Sequence, residues 1–260
     1  MMNWSPGPAP DAVDNHGPVV VNTPSKAALL GAIADRLATR QGFTVATLNL
    51  DHVVKLRRDP VFRAAYARHS HVVADGNPIV WLARLAGQEA ELAPGSELVD
   101  PVAGLAAAAG VPVALMGSTE AALARAGAAL VRRHPGLRIA ACIAPPMGFG
   151  PEDSEADEAI EAIGASGAGV CFLALGAPRQ EIFAVRAHRR LPHVGFLSIG
   201  AGLDFLAGTQ VRAPALMRAL AAEWLWRLGT NPRRLAGRYA ACLAVLPTLA
   251  GSALAARRRS

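Results

Sequence analysis

Asp75 stands at the end of an apolar run, Ser70-His71-Val72-Val73-Ala74-Asp75-Gly76-Asn77-Pro78, just ahead of a helical pattern that begins at Ile79. A short β-branched run meeting Gly-Asn-Pro reads as a strand ending in a turn, with Asn77 as helix cap and Pro78 as first helical residue. With Asn77 capping, the Asp75 carboxylate is left at the mouth of a strand, where open α/β folds bind ligands. A carboxylate placed there can take a proton from an attacking hydroxyl. It can equally accept hydrogen bonds from the backbone of its own turn. Four more turns follow apolar runs: Thr47-Leu48-Asn49-Leu50-Asp51-His52, Met116-Gly117-Ser118-Thr119, Leu175-Gly176-Ala177-Pro178-Arg179-Gln180-Glu181 and Ile199-Gly200-Ala201-Gly202-Leu203-Asp204-Phe205. Glycine in such turns lets the backbone approach a ligand, and a helix starting just after offers its N–H groups to phosphate.

Several chemistries are argued against by what these turns lack. Gly200-x-Gly202 has neither the third glycine nor the following helix of a dinucleotide fingerprint, and no P-loop sequence occurs. No D-x-D or clustered His/Cys set follows a strand, so no metal site is expected. His52, His69, His71, His134, His188 and His193 share no ligand spacing and read mostly as surface residues. Ser96, Ser118 and Ser198 lie near glycines but not in a G-x-S-x-G elbow.

The elements that must position these turns alternate. A helical pattern over about 25–40 precedes a strand at 43–49, and a helix starts near Asp51. A strand at 72–74 leads to helices over about 78–87 and 97–109. Strands at 112–116, 137–143, 169–175 and 194–199 then interleave with helices at 119–133, 153–165 and 179–189. Such alternation indicates parallel β-α-β units. The composition agrees: 52% hydrophobic but only 5% aromatic suits Ala/Val/Leu-rich helices packed on a buried sheet. The expectation is an α/β fold with two Rossmann-like lobes and a C-terminal helical appendage. Residues 1–17 would be a disordered leader, 18–110 one lobe, 111–208 the second, and 209–260 the appendage. The leader is rich in Pro, Asp and Asn and is not a signal peptide, so the body is expected in the cytosol. Cys142, Cys171 and Cys242 form no C-x-x-C pair and read as buried small hydrophobes.

Charge separates body from tail. From Arg212 onward there are nine arginines against one acid, Glu223, so the first 211 residues carry −2 of the total +6. A tail so cationic suits phosphate in nucleic acid, lipid headgroups or a diphosphate substrate. Its arginines interleave with Leu, Ala and Trp in helical runs, which favours lipid over nucleic acid. From Tyr239 to Ala256 there are 18 residues without a charge, about 27 Å of helix and the lower edge of what spans a bilayer. Pro247 and Gly251 weaken a spanning helix. An interfacial helix with arginines at the headgroups is the favoured reading, beside a span or a core-packing helix.

Taken in order, six motifs resemble the WecG/TagA/CpsF glycosyltransferases. They are Thr47-x-Asn49, Ala74-Asp75-Gly76, Gly176-Ala177-Pro178-Arg179-Gln180-Glu181, the Gly200 to Gly208 segment, Arg212-Ala213-Pro214 and Glu223-Trp224-Leu225-x-Arg227. The likeness runs from about Thr44 to Arg238. It implies transfer from a UDP-sugar, of N-acetylmannosamine or glucose type, to an undecaprenyl-diphosphate-linked sugar at the cytoplasmic membrane face, for cell-surface polysaccharide. The Thr47 to His52 segment and Asn77-Pro78 resemble the exopolysaccharide, xanthan-type branch.

That resemblance implies roles as well. Asp75 would be the base of an inverting, metal-independent transfer, with Thr47 and Asn49 on the acceptor side. Gln180 would face the donor, and Gly117, Gly176, Gly200 and Asp204 would shape the nucleotide pocket. Arg227, Arg233, Arg234 and Arg238 would stabilise diphosphate, with no cofactor. Glu181 is equally well placed as a first-turn carboxylate favourable to its helix. One departure stands out: family members commonly carry an arginine in the stretch that here reads Glu91-Leu92-Ala93-Pro94-Gly95-Ser96-Glu97. Its loss leaves a second expectation open, a membrane-associated nucleotide- or lipid-binding protein without turnover.

Overall fold

The computed structural model describes residues 20–210, 214, 217, 226, 228–229 and 232–258, the side chain of Arg234 excepted. Six strands, β1 (Phe43–Leu48), β2 (His71–Ala74), β3 (Val113–Gly117), β4 (Ile139–Ile143), β5 (Val170–Ala174) and β6 (Gly195–Ser198), form one sheet in the order β2-β1-β6-β5-β3-β4. Every pairing is parallel. The α/β class and the C-terminal helix are those the sequence predicts. The strands of the two expected lobes join edge to edge, with β6 of the second half seated between β1 and β5.

Helices cover both faces. On one lie α1 (Lys26–Ala38), α5 (Gly95–Ala108), α6 (Glu120–Arg133) and α9 (Gly202–Ala207), packed on Phe43, Val45, Leu115, Phe172 and Leu197. On the other, α2 (Leu50–Leu56), α3 (Pro60–Ala67) and α4 (Asn77–Leu85) cover Ala46, Leu48, Val72 and Ala74. Beside them α7 (Ser154–Ser166) and α8 (Arg179–Arg190) cover Ala114, Met116, Leu173 and Phe196. Burial on both faces is why β1 reads as an apolar run without alternation. Edge strand β4 is only partly covered, and Cys142 on it is exposed, unlike the buried Cys171 and Cys242. The expectation of three buried thiols fails there because, among the described residues, no strand flanks β4 on its outer side.

Local chemistry sets the helix starts. Asp59 accepts from the Phe62 N–H and Pro60 follows it, so the helix expected from Asp51 is two, α2 and α3. Asn77 is not the cap of α4. Gly76 takes that position with φ of 126° and no side-chain bond, because the sharp exit from β2 needs a backbone that only glycine adopts readily. A six-residue helix, α9, does follow Gly202 and ends at Gly208.

Helix α10 (Pro232–Arg257) lies against α2 and α4. Cys242, Val245, Leu249 and Ala253, spaced three and four apart, are its buried stripe. Its other side exposes Leu243 and Leu254. Leu235–Arg257 is long and apolar enough to cross a membrane by length and composition.

Candidate functional site

In a parallel sheet all carboxyl ends lie along one edge, so every turn singled out in the sequence arrives there. The registers Leu48↔Ala74, Leu173↔Ser198 and Gly117↔Ala174 align those ends. Read across the sheet, the edge carries Asp75, then Asn49, Gly200, Gly176 and Gly117.

At the β2–β1 end, Asp75 is half-buried and its N–H donates to the Leu48 carbonyl (2.7 Å), which fixes it beside the exit of β1. Asn49 caps α2, its Oδ1 accepting from the His52 N–H (3.0 Å), and a Cβ on Gly76 would lie 3.9 Å from that of Asn49. The Asp75-Gly76 turn and Asn49 are thus neighbours. Thr47 sits deeper, 3% exposed in β1, with its hydroxyl donating to the Ser198 carbonyl at 3.5 Å.

Behind this end lies a polar cluster that the sequence analysis missed. His52 Nδ1 and the Tyr66 hydroxyl share a hydrogen bond of 2.9 Å, both buried. Burial, with Lys55 nearby, pushes the His52 pKa down to about 3, so it is a neutral imidazole. Burial and the neighbouring carboxylates of Glu181 and Asp75 raise the Tyr66 hydroxyl well above its ordinary value. Lys55 donates to the Ala177 carbonyl (3.0 Å) and pairs with Asp51 (2.9 Å), which also binds Arg238 Nε at 2.9 Å. Arg238 therefore ties α10 to the start of α2.

The expectation of surface histidines is corrected here. His52 and His69 are buried and His71 is half-buried. Burial lowers His69 and His71 to about 4. His69 bonds the Ala65 carbonyl through Nδ1, which lets an uncharged ring fill a core position.

At the centre, α8 begins immediately after Gly176-Ala177-Pro178, whose Ala177–Pro178 bond is cis. Gln180, 2% exposed, accepts from the Gly200 N–H through Oε1 (3.3 Å) and donates through Nε2 to Glu181 Oε1 (2.8 Å). Glu181 is fully buried, and burial raises its carboxyl to about 7. Among the described residues its Oε2 has no hydrogen-bond partner. Glu181 precedes Ala184 by one helical turn on the buried stripe of α8, a spacing that marks it as inward-facing.

At the β3 end, Gly117 has φ of 106°, and a Cβ there would stand 2.4 Å from the Ala174 carbonyl oxygen, so only glycine fits between β3 and β5. Ser118 donates to Asp204 Oδ1 at 2.5 Å, and Thr209 and Gln210 also donate to this carboxylate (3.3 and 3.2 Å). Asp204 thus joins the β3 turn to α9. Gly176 and Gly200 take positive φ with open space where a Cβ would go. The helix α5 reaches the same edge, where Gly95 packs on Ile199.

Among the described residues no group of three His, Cys, Asp or Glu is placed to hold a metal ion. Arg233 is exposed on α10. Arg227, with Arg212, Ala213 and most of the Glu223 motif, lies outside the described residues, as does the side chain of Arg234.

An open parallel sheet whose carboxyl edge gathers a carboxylate, a capping amide and glycine turns is the frame of a nucleotide- or sugar-handling α/β enzyme. The family model described as Glycosyl transferase WecG/TagA/CpsF family matches residues 16–260. The chain belongs to that family and is a glycosyltransferase.

Proposed function

We propose that this protein moves a hexose, of N-acetylmannosamine or glucose type, from a UDP-sugar to a sugar carried on undecaprenyl diphosphate, with inversion. The observation that carries the reading is the pairing of Asp75 and Asn49 at the ends of adjacent strands, on the same edge as the Gln180–Gly200 contact. The acceptor hydroxyl attacks the anomeric carbon, its proton passes to the Asp75 carboxylate, and the bond to UDP breaks with its electrons leaving on the diphosphate. General base catalysis of this kind supplies about 10²–10⁴-fold. Cations near the leaving group stabilise its charge without reorganisation, and Arg227, Arg233, Arg234 and Arg238 are the residues assigned this role. Gly117, Gly176, Gly200 and Asp204 shape the donor pocket, while Thr47 holds β1 against β6 beneath the acceptor side.

The 260-residue chain is read as an acceptor lobe at 18–110, a nucleotide lobe at 111–208 and a membrane-associating appendage at 209–260. Helix α10 supports the last: its outer side carries no charge between Arg238 and Arg257. An apolar helix flanked by arginines suits an anionic surface, with the arginines at the headgroups, and this supports a peripheral position on the cytoplasmic face of the membrane.

The test is UDP release from a panel of UDP-sugars with a short-chain prenyl-diphosphate-sugar acceptor. Acceptor-dependent release supports the transfer. Release that ignores the acceptor, or no release with any donor, contradicts it.

A further inference from the structure

Glu181 has no step in the reaction above, yet it is the most deeply buried carboxyl described at the carboxyl edge, with 0% exposure. Among the described residues its side-chain partner is the Gln180 amide. The amide of Gln180 lies between two unlike partners. On one side the Gly200 N–H can only donate; on the other, Glu181 Oε1 accepts. A carboxamide held between a donor and an acceptor has one orientation, because the flipped form sets N–H against N–H and oxygen against oxygen. The Gly200 turn has φ of 56° and abuts Ile199, on which the first residue of α5 packs. The Gln180 amide therefore bridges the start of α8 to the turn that follows β6, beside the first residue of α5.

The geometry points to Glu181 as a positioning residue: it locks the Gln180 amide onto Gly200 and so holds the donor-side turn in its binding shape, without touching substrate. This rests on the reading that Gln180 and Gly200 face the nucleotide. The carboxyl is kept for its acceptor oxygen, not its charge. Protonated or ionised, the carboxyl keeps an oxygen able to accept, and the Gly200 N–H, which can only donate, fixes the amide's orientation. Lys55 on α2 and Tyr66 on α3 interact electrostatically with it, and the acceptor that meets Gln180 Nε2 is Glu181 Oε1.

Two variants of the full chain separate the possibilities. Glu181→Met keeps length and removes the acceptor; Glu181→Gln keeps an acceptor oxygen. Amide hydrogen exchange at Gly200 reads the lock directly, and UDP titration reads its consequence. In Glu181→Met, Gly200 is expected to lose roughly tenfold or more of its protection and UDP to bind roughly tenfold more weakly, as for one buried hydrogen bond removed. In Glu181→Gln both are expected to return to within about threefold of wild type. Unchanged Gly200 protection in folded Glu181→Met overturns the lock. Lost protection with unchanged UDP affinity overturns its role toward the donor. A Gln variant as impaired as Met overturns the acceptor argument, and if Met does not fold, the Gln variant alone decides it by the same two readings. Wild type that shows Gly200 protection but binds no UDP overturns instead the nucleotide reading on which the proposal rests.

Discussion

The two ends of the sheet's carboxyl edge carry carboxylates under opposite conditions. At the β3 end, Asp204 is met by three side-chain donors, Ser118, Thr209 and Gln210. Toward the β1–β2 end, burial shifts ionisable groups even where they are partnered: Glu181 is pushed up to about 7, His52 down to about 3, and Tyr66 well upward. A carboxylate surrounded by donors is a brace, since its lone pairs are committed to holding a turn. Ionisable groups with shifted protonation crowded behind a strand end are a pattern that proton-transfer sites share with structural polar networks. On the function proposed here, shape belongs to the first end and chemistry to the second.

The comparison breaks most visibly at Asp51, whose side chain is 12% exposed and bridges Lys55 and Arg238. Lys55 and Arg238 are both more than a third exposed and stay hydrated without it, so Asp51→Ala is expected to cost about 2 kcal/mol in denaturant unfolding, as for charged hydrogen bonds lost. Loss of under about 1 kcal/mol would mean the bridge is a solvated surface pair. At the opposite end, Asp204→Asn keeps size but weakens three bonds, and a loss of about 1–2 kcal/mol is expected by the same measurement.

Titration sharpens the contrast. His52 and His69 have folded pKa values of about 3 and 4, below the usual 6.5. Their contribution is present above pH 6.5 and is lost as pH falls toward those values. Glu181 runs the other way, from 4.5 unfolded to about 7 folded. Its contribution is complete below pH 4.5 and lost as pH rises through 7. Glu181→Gln should therefore raise the melting temperature more at pH 8 than at pH 4.5, and a gain that is equal at both would refute the burial argument. The smallest effect on folding belongs to α10. Leu243→Glu, at an exposed position, should leave stability within about 0.5 kcal/mol, yet weaken sedimentation with anionic vesicles; unchanged vesicle binding would remove that face from the membrane contact.

The alternation of strands and helices was legible because period and β-branching survive in single elements, and the edge turns followed from it. Gly and helix starts mark the strand-end turns that hold Asp75, Asn49 and Gln180, while the roles expected of these residues rest on the family resemblance. The seat of β6 between β1 and β5 was not, since strand order depends on crossovers that local pattern does not encode. Nor was the buried cluster. Tyr66 belongs to the apolar face of α3 with Phe62 and Ala65, and His52 lies in a helix whose first turn already holds Asp51, so each reads locally as core or surface. Their bond joins two helices, and such contacts become visible only once α2 and α3 are packed.

The central claim, that proton transfer belongs to the β1–β2 end, is tested most directly by turnover of Asp75→Asn beside Asp204→Asn. UDP release in the presence of acceptor should fall at least about a hundredfold in folded Asp75→Asn, as for a lost general base. It should stay within about tenfold in Asp204→Asn, whose carboxylate braces a turn. Full activity in Asp75→Asn, or the larger loss in Asp204→Asn, would contradict the account.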